Sequence, residues 1–319
     1  MSEPLDEHYT YLTDRVKVER YRTAIERLVR PKHVVLDLGC GSGLLGLMAL
    51  RAGAGRVLFV DEAPVIEMAR RTVHEAGLAD RAEFFQARSY ELELPRRADI
   101  VLCDHVGYFG FDYGILKLLA DARKRFLQAG GVMIPARLDL RLAPIESGSS
   151  RRLVQRWRDG SVPDEYAWVA APAANAKHAV TLQAGDLLAE SAGLASLELG
   201  AEATDFLSGQ VVFECARDAT FDGLAGWFDC VLHDDVRMTN APAADDRLER
   251  HQAFLPIEEP VTVKAGQAIE ATVMARPQDN LLAWSVNLPG TGRRFQHSTF
   301  KGLVLENQLR RMLASGAGG

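Results

Sequence analysis

His33-Val-Val-Leu-Asp37-Leu-Gly39-Cys-Gly41-Ser-Gly43-Leu-Leu-Gly46 is the stretch that decides how this chain of 319 residues folds. An apolar run ends in a carboxylate and alternating glycines, then resumes as a helical stretch, Leu44 to Arg51. A buried parallel strand meets its turn in this way. The glycines let the backbone approach a ligand and leave the first N–H groups of the helix facing it. Moving outward, the next strand, Val57 to Val60, ends at Asp61, where a carboxylate can accept both hydroxyls of a ribose. A cofactor carrying adenosine is expected. Two registers compete. Gly41-Ser-Gly43-Leu-Leu-Gly46 fits a dinucleotide fingerprint, but it would set Asp37 against a pyrophosphate, like charge on like. The register Gly39-Cys-Gly41-Ser-Gly43 instead puts Asp37 beside a positive group. S-adenosylmethionine carries a sulfonium and an ammonium there, so it is the cofactor expected; the blander reading of Asp37 is a turn former at a strand end.

Strand and helix patterns continue to alternate up to Pro135. They comprise a helix over Asp14–Val29, one over Glu62–Ala76, strands at Ala82–Gln86 and Ala98–Cys103, a helix over Tyr113–Leu127, and a strand at Val132–Ile134. This predicts an α/β domain with a parallel sheet covered on both faces. Beyond Pro135 the period becomes two: Leu138, Leu140 and Leu142 alternate with Arg137, Asp139 and Arg141, and Leu282-Trp284-Val286-Leu288 repeats the pattern. That predicts an all-β second part, barrel or sandwich. The expected division is 1–135 and 136–319. Residues 151–175 fit neither period and are expected to be an arm or loop, and the terminal Ser315-Gly-Ala-Gly-Gly319 should fray.

Acidic residues outnumber basic ones, 43 to 37, giving a net charge of −6, which disfavours nucleic acid as a partner. No apolar run is long enough for a membrane helix. The polar, acidic start MSEPLDEHYTYLTDR is read as that of a cytoplasmic protein. Cys40, Cys103, Cys215 and Cys230 lack metal-binding spacing, so no metal or disulfide is expected.

Several segments resemble the protein arginine methyltransferases, a family of class I methyltransferases, over most of the chain. His8-Tyr-Thr-Tyr11-Leu-Thr-Asp14-Arg-Val-Lys17 followed by Tyr21 is similar to the family's N-terminal cofactor lid. Lys17 stands where the family's arginine clamps the cofactor carboxylate; it keeps the charge and loses the fork. Glu83-Phe-Phe-Gln-Ala-Arg-Ser89-Tyr90-Glu91 resembles the adenine-contacting segment, which adds Ser89 and Tyr90 to the expected cofactor site. Cys103-Asp104-His105-Val106-Gly107-Tyr108-Phe109 is similar to the Ser-Glu-Trp-Met-Gly-Tyr loop. Gly226-Trp227-Phe228-Asp229 and the region around Gln252 resemble the family's β-barrel. The resemblance implies a Rossmann-like methyltransferase domain with an N-terminal lid helix, a C-terminal β-barrel, and a homodimer joined through an arm near 151–175.

Two departures shape the expected acceptor. The family holds a guanidinium between two glutamates nine residues apart; here those positions are Asp104 and Tyr113, with Asp112 one residue out of register. The family's Thr-His-Trp stretch before a glutamine, anchored on Gln252, becomes Leu248, Glu249 and Arg250. A guanidinium has a pKa above about 12 and needs bidentate, charge-compensating partners. One shortened acid and a tyrosine weaken that clamp. The expectation is therefore a small aromatic or nitrogenous natural product, an indole methylated on carbon, with Asp104 or Glu249 at the ring N–H. Tyr108 and His251 complete the expected catalytic set. A divergent protein arginine N-methyltransferase is the alternative.

Overall fold

The computed structural model describes residues 5–202 and 204–302; the expected fraying of Ser315–Gly319 lies outside the described residues. Two helices, α1 (Leu5–Thr13) and α2 (Arg15–Leu28), precede the sheet. Asp14 separates them, its side chain accepting the Lys17 N–H at 3.0 Å as an N-cap. Then follow β1 (Val34–Leu38), α3 (Leu44–Arg51), β2 (Arg56–Asp61), α4 (Ile66–Glu75), β3 (Ala82–Gln86), β4 (Ala98–Leu102), α5 (Ile115–Arg125) and β5 (Leu127–Ile134). The strands lie parallel in the order β3-β2-β1-β4-β5. The order reverses between β1 and β4, so the crevice for a ligand opens beyond their carboxyl ends. Asp37, at the end of β1, lies in register with Phe59 on one side and Leu102 on the other, under that crevice.

Antiparallel structure begins at β6 (Arg137–Ile145). The stretch 151–175, expected as an arm or loop, carries most of α6 (Gly148–Gln155), a 3-10 turn over Asp164–Val169 and α7 (Ala170–Ala174). Gly160, Pro163 and Pro172 break these into pieces too short to show a helical period. The remaining elements are β7 (His178–Val180), β8 (Ala192–Glu198), β9 (Leu207–Glu214), β10 (Ala219–His233), β11 (Val236–Thr239), β12 (Gln252–Val263), β13 (Ala268–Arg276), β14 (Leu281–Leu288), β15 (Arg293–Ser298) and α8 (Thr299–Gly302). One sheet runs β7-β12-β10-β6-β8, with β11 on β10; the other runs β15-β14-β13-β9. The result is barrel-like: among the described residues no ladder closes the two sheets into one cylinder. A single apolar core runs from Val35 and Leu36 of the parallel sheet to Trp284 and Val286 of the antiparallel one. The two parts therefore share buried surface at the seam where the crevice lies.

The glycine run places α3 close against the sheet. A Cβ on Gly46 would come within 2.1 Å of Phe59 Cε1. The Phe59 ring is fully buried and stacked on Phe84 at 4.7 Å between centroids, so it has nowhere to turn. Gly46, which in sequence mimics a dinucleotide fingerprint, is thus required by helix–sheet packing. Gly46→Val is expected to destabilise the fold by about 2–3 kcal/mol through overpacking, and Phe59→Leu in the same chain should recover part of the loss. Urea unfolding of the single and double variants checks both.

Candidate active site

Asp37 is 1% exposed, and one carboxylate oxygen accepts the Gly46 N–H at 2.7 Å. Burial raises its pKa to about 7, against the lowering by that N–H bond; the charges of Asp61 and Asp104 add to the rise. Among the described residues no cation pairs with it. Gly39 takes a left-handed φ of 67°, which lets its N–H and that of Cys40 both reach the Val60 carbonyl. A Cβ there would fall on the ring of His105, so the missing side chain also gives His105 its place. The Gly41 N–H donates to Asp61 at 2.8 Å, and the Ala63 N–H donates to the other Asp61 oxygen at 2.8 Å. Each oxygen keeps a lone pair for a further donor. Gly43, the residue before α3, faces Ala69 of α4 rather than the crevice.

These groups wall a cavity of about 690 Å³, a size suited to a cofactor. Lys17, Asp37, Gly39, Gly41, Asp61, Ser89 and Tyr90, all expected from sequence, line it. His8 and Tyr11 of α1 line it from the N-terminal side. The donor set fits S-adenosylmethionine. A buried carboxylate without a cation faces a cationic ligand, Asp61 has oxygens left for ribose hydroxyls, and an ammonium stands at the end where a carboxylate would lie.

At the acceptor end Asp104, just beyond β4, is gripped by two cations. Lys17 Nζ lies 2.7 Å from one oxygen, and Arg250 Nη2 lies 3.2 Å from the other. Tyr21 donates to the Cys103 carbonyl at 2.9 Å and stands 3.5 Å from the same Asp104 oxygen as Arg250. Burial pushes the Asp104 carboxyl up, but Lys17 and Arg250 outweigh it and hold the group below its ordinary range. Lys17 also sits 4.5 Å from the centre of the Tyr11 ring, and the Arg250 guanidinium carbon sits 5.8 Å from it. A smaller chamber of about 200 Å³ shares the walls Tyr90, His105, Tyr113 and Leu118 and reaches Pro277 and Gln278.

Three of the expected catalytic residues are placed differently. Glu249 is exposed and lines neither chamber; its N–H donates to Asp14 at 3.3 Å. His251 is also exposed, with Nδ1 3.1 Å from the Thr181 hydroxyl. The cause is period-two alternation leading into β12: Leu248, Arg250 and Gln252 turn inward, so Glu249 and His251 turn outward. Tyr108 packs against Lys177, 4.8 Å from its ring centre, and lines neither chamber. Asp112 cannot serve as a second acid. It accepts the Phe109 N–H at 2.6 Å and forms a buried ion pair with Lys177.

Arg250 and Tyr11 were missed by residue-type reasoning, and so was Asn240. The Asn240 amide is fully buried. It donates to the Tyr108 carbonyl at 2.9 Å and to the His251 carbonyl at 2.6 Å, while its oxygen accepts the Phe228 N–H. Gln252, equally buried, donates to the Asn240 and Arg250 carbonyls and accepts the Leu182 N–H. These two amides tie the Arg250 loop to the loop that follows Asp104. The available signal was the alternation counted back from Gln252, which puts Arg250 inside.

Residues 35–131 match a family described as "Methyltransferase domain", and residues 201–291 match the "PRMT5 oligomerisation domain". The chain is 27% identical over 281 residues to protein arginine N-methyltransferase 1 of Schizosaccharomyces pombe, covering 85% of this chain and 82% of that protein. It is also 27% identical over 267 residues to the arginine N(omega)-methyltransferase of Streptomyces achromogenes subsp. streptozoticus, covering 82% and 74%. Among solved structures, the Trypanosoma brucei PRMT1 enzyme-prozyme heterotetrameric complex with AdoHcy superposes with a TM-score of 0.79. Its identity is 21%, over 91% of this chain and 96% of that one.

These findings correct the expected acceptor. The relatives carry names of arginine methyltransferases, so the indole, the natural-product pathway and the small-molecule partner are set aside. Of the two carboxylates expected at the indole N–H, Glu249 lies outside the cavity and Asp104 lines it. The strand order, the glycine loop, the two-part architecture and these matches together make the chain a class I S-adenosylmethionine-dependent methyltransferase, built like the protein arginine methyltransferases.

Proposed function

We propose that the chain is a divergent protein arginine N-methyltransferase, transferring the methyl group to a guanidinium nitrogen of a protein-borne arginine. One observation carries this reading: Asp104 with Tyr11 already holds a guanidinium, that of Arg250, inside the cavity. A carboxylate to pair the N–H groups and an aromatic face beside them are what an arginine acceptor requires. The names of the relatives support the same acceptor chemistry.

When bound, S-adenosylmethionine supplies an electrophilic methyl group on its sulfonium. Asp37 would face the cofactor's positive groups, Asp61 would accept its ribose hydroxyls, and Lys17 would take its carboxylate. Asp104 orients the acceptor and offsets its charge while one nitrogen becomes nucleophilic. The proton shed by that nitrogen goes to an Asp104 carboxylate oxygen and from there to solvent. Tyr21, whose phenol burial raises well above its ordinary pKa, stays protonated as a hydrogen-bond donor behind Asp104. Tyr113, half-exposed between the two chambers, occupies the sequence position of the family's second glutamate, so Asp104 alone supplies a carboxylate to the acceptor.

Incubated with an arginine-rich protein and methyl-labelled cofactor, the enzyme is expected to label arginine nitrogen, as read by mass spectrometry of the hydrolysate. Asp104→Asn should lower kcat by roughly 10²-fold or more. Absence of label on arginine from an enzyme that binds the cofactor would overturn the reading.

Asp61→Ala should weaken cofactor affinity roughly 10- to 100-fold in calorimetry, since hydrogen bonds to a charged acceptor are lost. Affinity should also depend on pH through Asp37. Its carboxyl, raised to about 7, is neutral in acid, and a cationic ligand prefers it ionised. Affinity should therefore rise about tenfold per unit from pH 5 to 7 and level off above that. In Asp37→Asn this slope should disappear, and a slope that persisted would place the titrating group elsewhere.

A further inference from the structure

Lys17, Arg250 and Asp104 form a cluster of two cations and one anion. Among the described residues no second carboxylate relieves it at that end, because Asp112 is consumed by Lys177 and the Phe109 N–H, and Glu249 faces solvent. An arriving guanidinium therefore meets a carboxylate that cations of the chain already match on both of its oxygens. Each oxygen keeps a lone pair, but a bidentate grip along one edge of Asp104 requires one resident cation to leave it.

The two cations are not held equally. The Lys17 side chain is 3% exposed and is pinned between Asp104 and the Tyr11 ring. The Arg250 side chain is 13% exposed, and its contact with Asp104 is the longer one, 3.2 Å against 2.7 Å. The Arg250 backbone is fixed: Gln252 donates to its carbonyl, and the Leu248 N–H donates to the Thr239 carbonyl. Leaving Asp104 is thus a side-chain rotation and requires no unfolding of the loop.

We propose that Arg250 is a tethered guanidinium that occupies the acceptor's place on Asp104 and must be displaced by it. The proposal rests on the arginine reading given above. Arg250 acts as a specificity threshold. A lone arginine side chain exchanges one guanidinium for another at Asp104 and gains little. An acceptor segment with contacts beyond the arginine has binding energy left over to drive the exchange. The apparent affinity is then the intrinsic one reduced by the fraction of molecules in which Asp104 is free.

The test is binding, read without turnover. A fluorescein-labelled glycine- and arginine-rich peptide is titrated by anisotropy against the full chain, the R250Q and R250K variants, and S-adenosylhomocysteine-saturated samples of each. The same peptide with lysine for arginine is the comparison, and thermal melting checks that each variant folds. R250Q is expected to bind the arginine peptide about tenfold tighter than the wild type. R250K, which keeps the charge without the planar fork, should fall between them, so the order is testable even if one variant melts early. Equal or weaker binding by both variants, with the wild type still preferring arginine over lysine, would overturn the displacement and make Arg250 a contact for the acceptor. No preference for arginine in any of the three proteins would instead remove the arginine reading, and this inference with it.

Discussion

Asp104 sits where three parts of the chain meet, and its charge organises all of them. It follows β4 of the parallel sheet, Lys17 reaches it from α2, and Arg250 reaches it from the loop before β12. A partly buried carboxylate is costly unless paired, and removing one partner of such a group costs more than the pair contributes. The helix before the sheet, the sheet and the antiparallel part are therefore each held to the seam by the same charge. The crevice over β1 and β4 is closed on its acceptor side by that arrangement.

Neutral hydrogen bonds make the seam rigid. Asn240 and Gln252 are amides with no exposed surface, and each is bonded through both its oxygen and its nitrogen. Buried amides satisfied in this way lose little and fix geometry strongly. Through the Tyr108 carbonyl they hold the loop after Asp104, and through the Arg250 carbonyl they hold the opposing loop. Lys177 and Asp112 do the same from the far side, where Lys177 also meets Asn280 at 3.2 Å. The carboxylate that might have served as a second acid is used as a fastener.

The fold was largely legible because its signals are local. Alternating strand and helix periods, a glycine turn and a change to period two are each written within a dozen residues of chain, and Leu44–Arg51 and Ala82–Gln86 match their expected bounds. The helical pieces in residues 148–174 were not legible, since each is shorter than the window a period needs. The cofactor groups of the glycine loop and Asp61 follow from strand ends, which the sheet topology brings together automatically. The acceptor end does not follow in that way. There the side chain that matters is chosen by the parity of an irregular loop, and residue type misled: Glu249 has the more obvious chemistry for a base and points away, while Arg250 points in. Asp112 is misleading for a related reason, since its partner Lys177 is 65 residues distant.

Parity and charge also explain how a site with one acid can stay folded with no acceptor present. An acceptor end built around two carboxylates would have to bury their mutual repulsion until a cation arrived. Here a single carboxylate is matched twice over by cations of the chain itself, and its pKa lies below the ordinary range because of them. The resting site is stable, and the work of exchanging one cation for another moves to the moment of binding. On the proposed arginine reading, selectivity in such a site arises less from how tightly Asp104 can grip a guanidinium than from which guanidinium arrives with enough additional contact to replace the resident one.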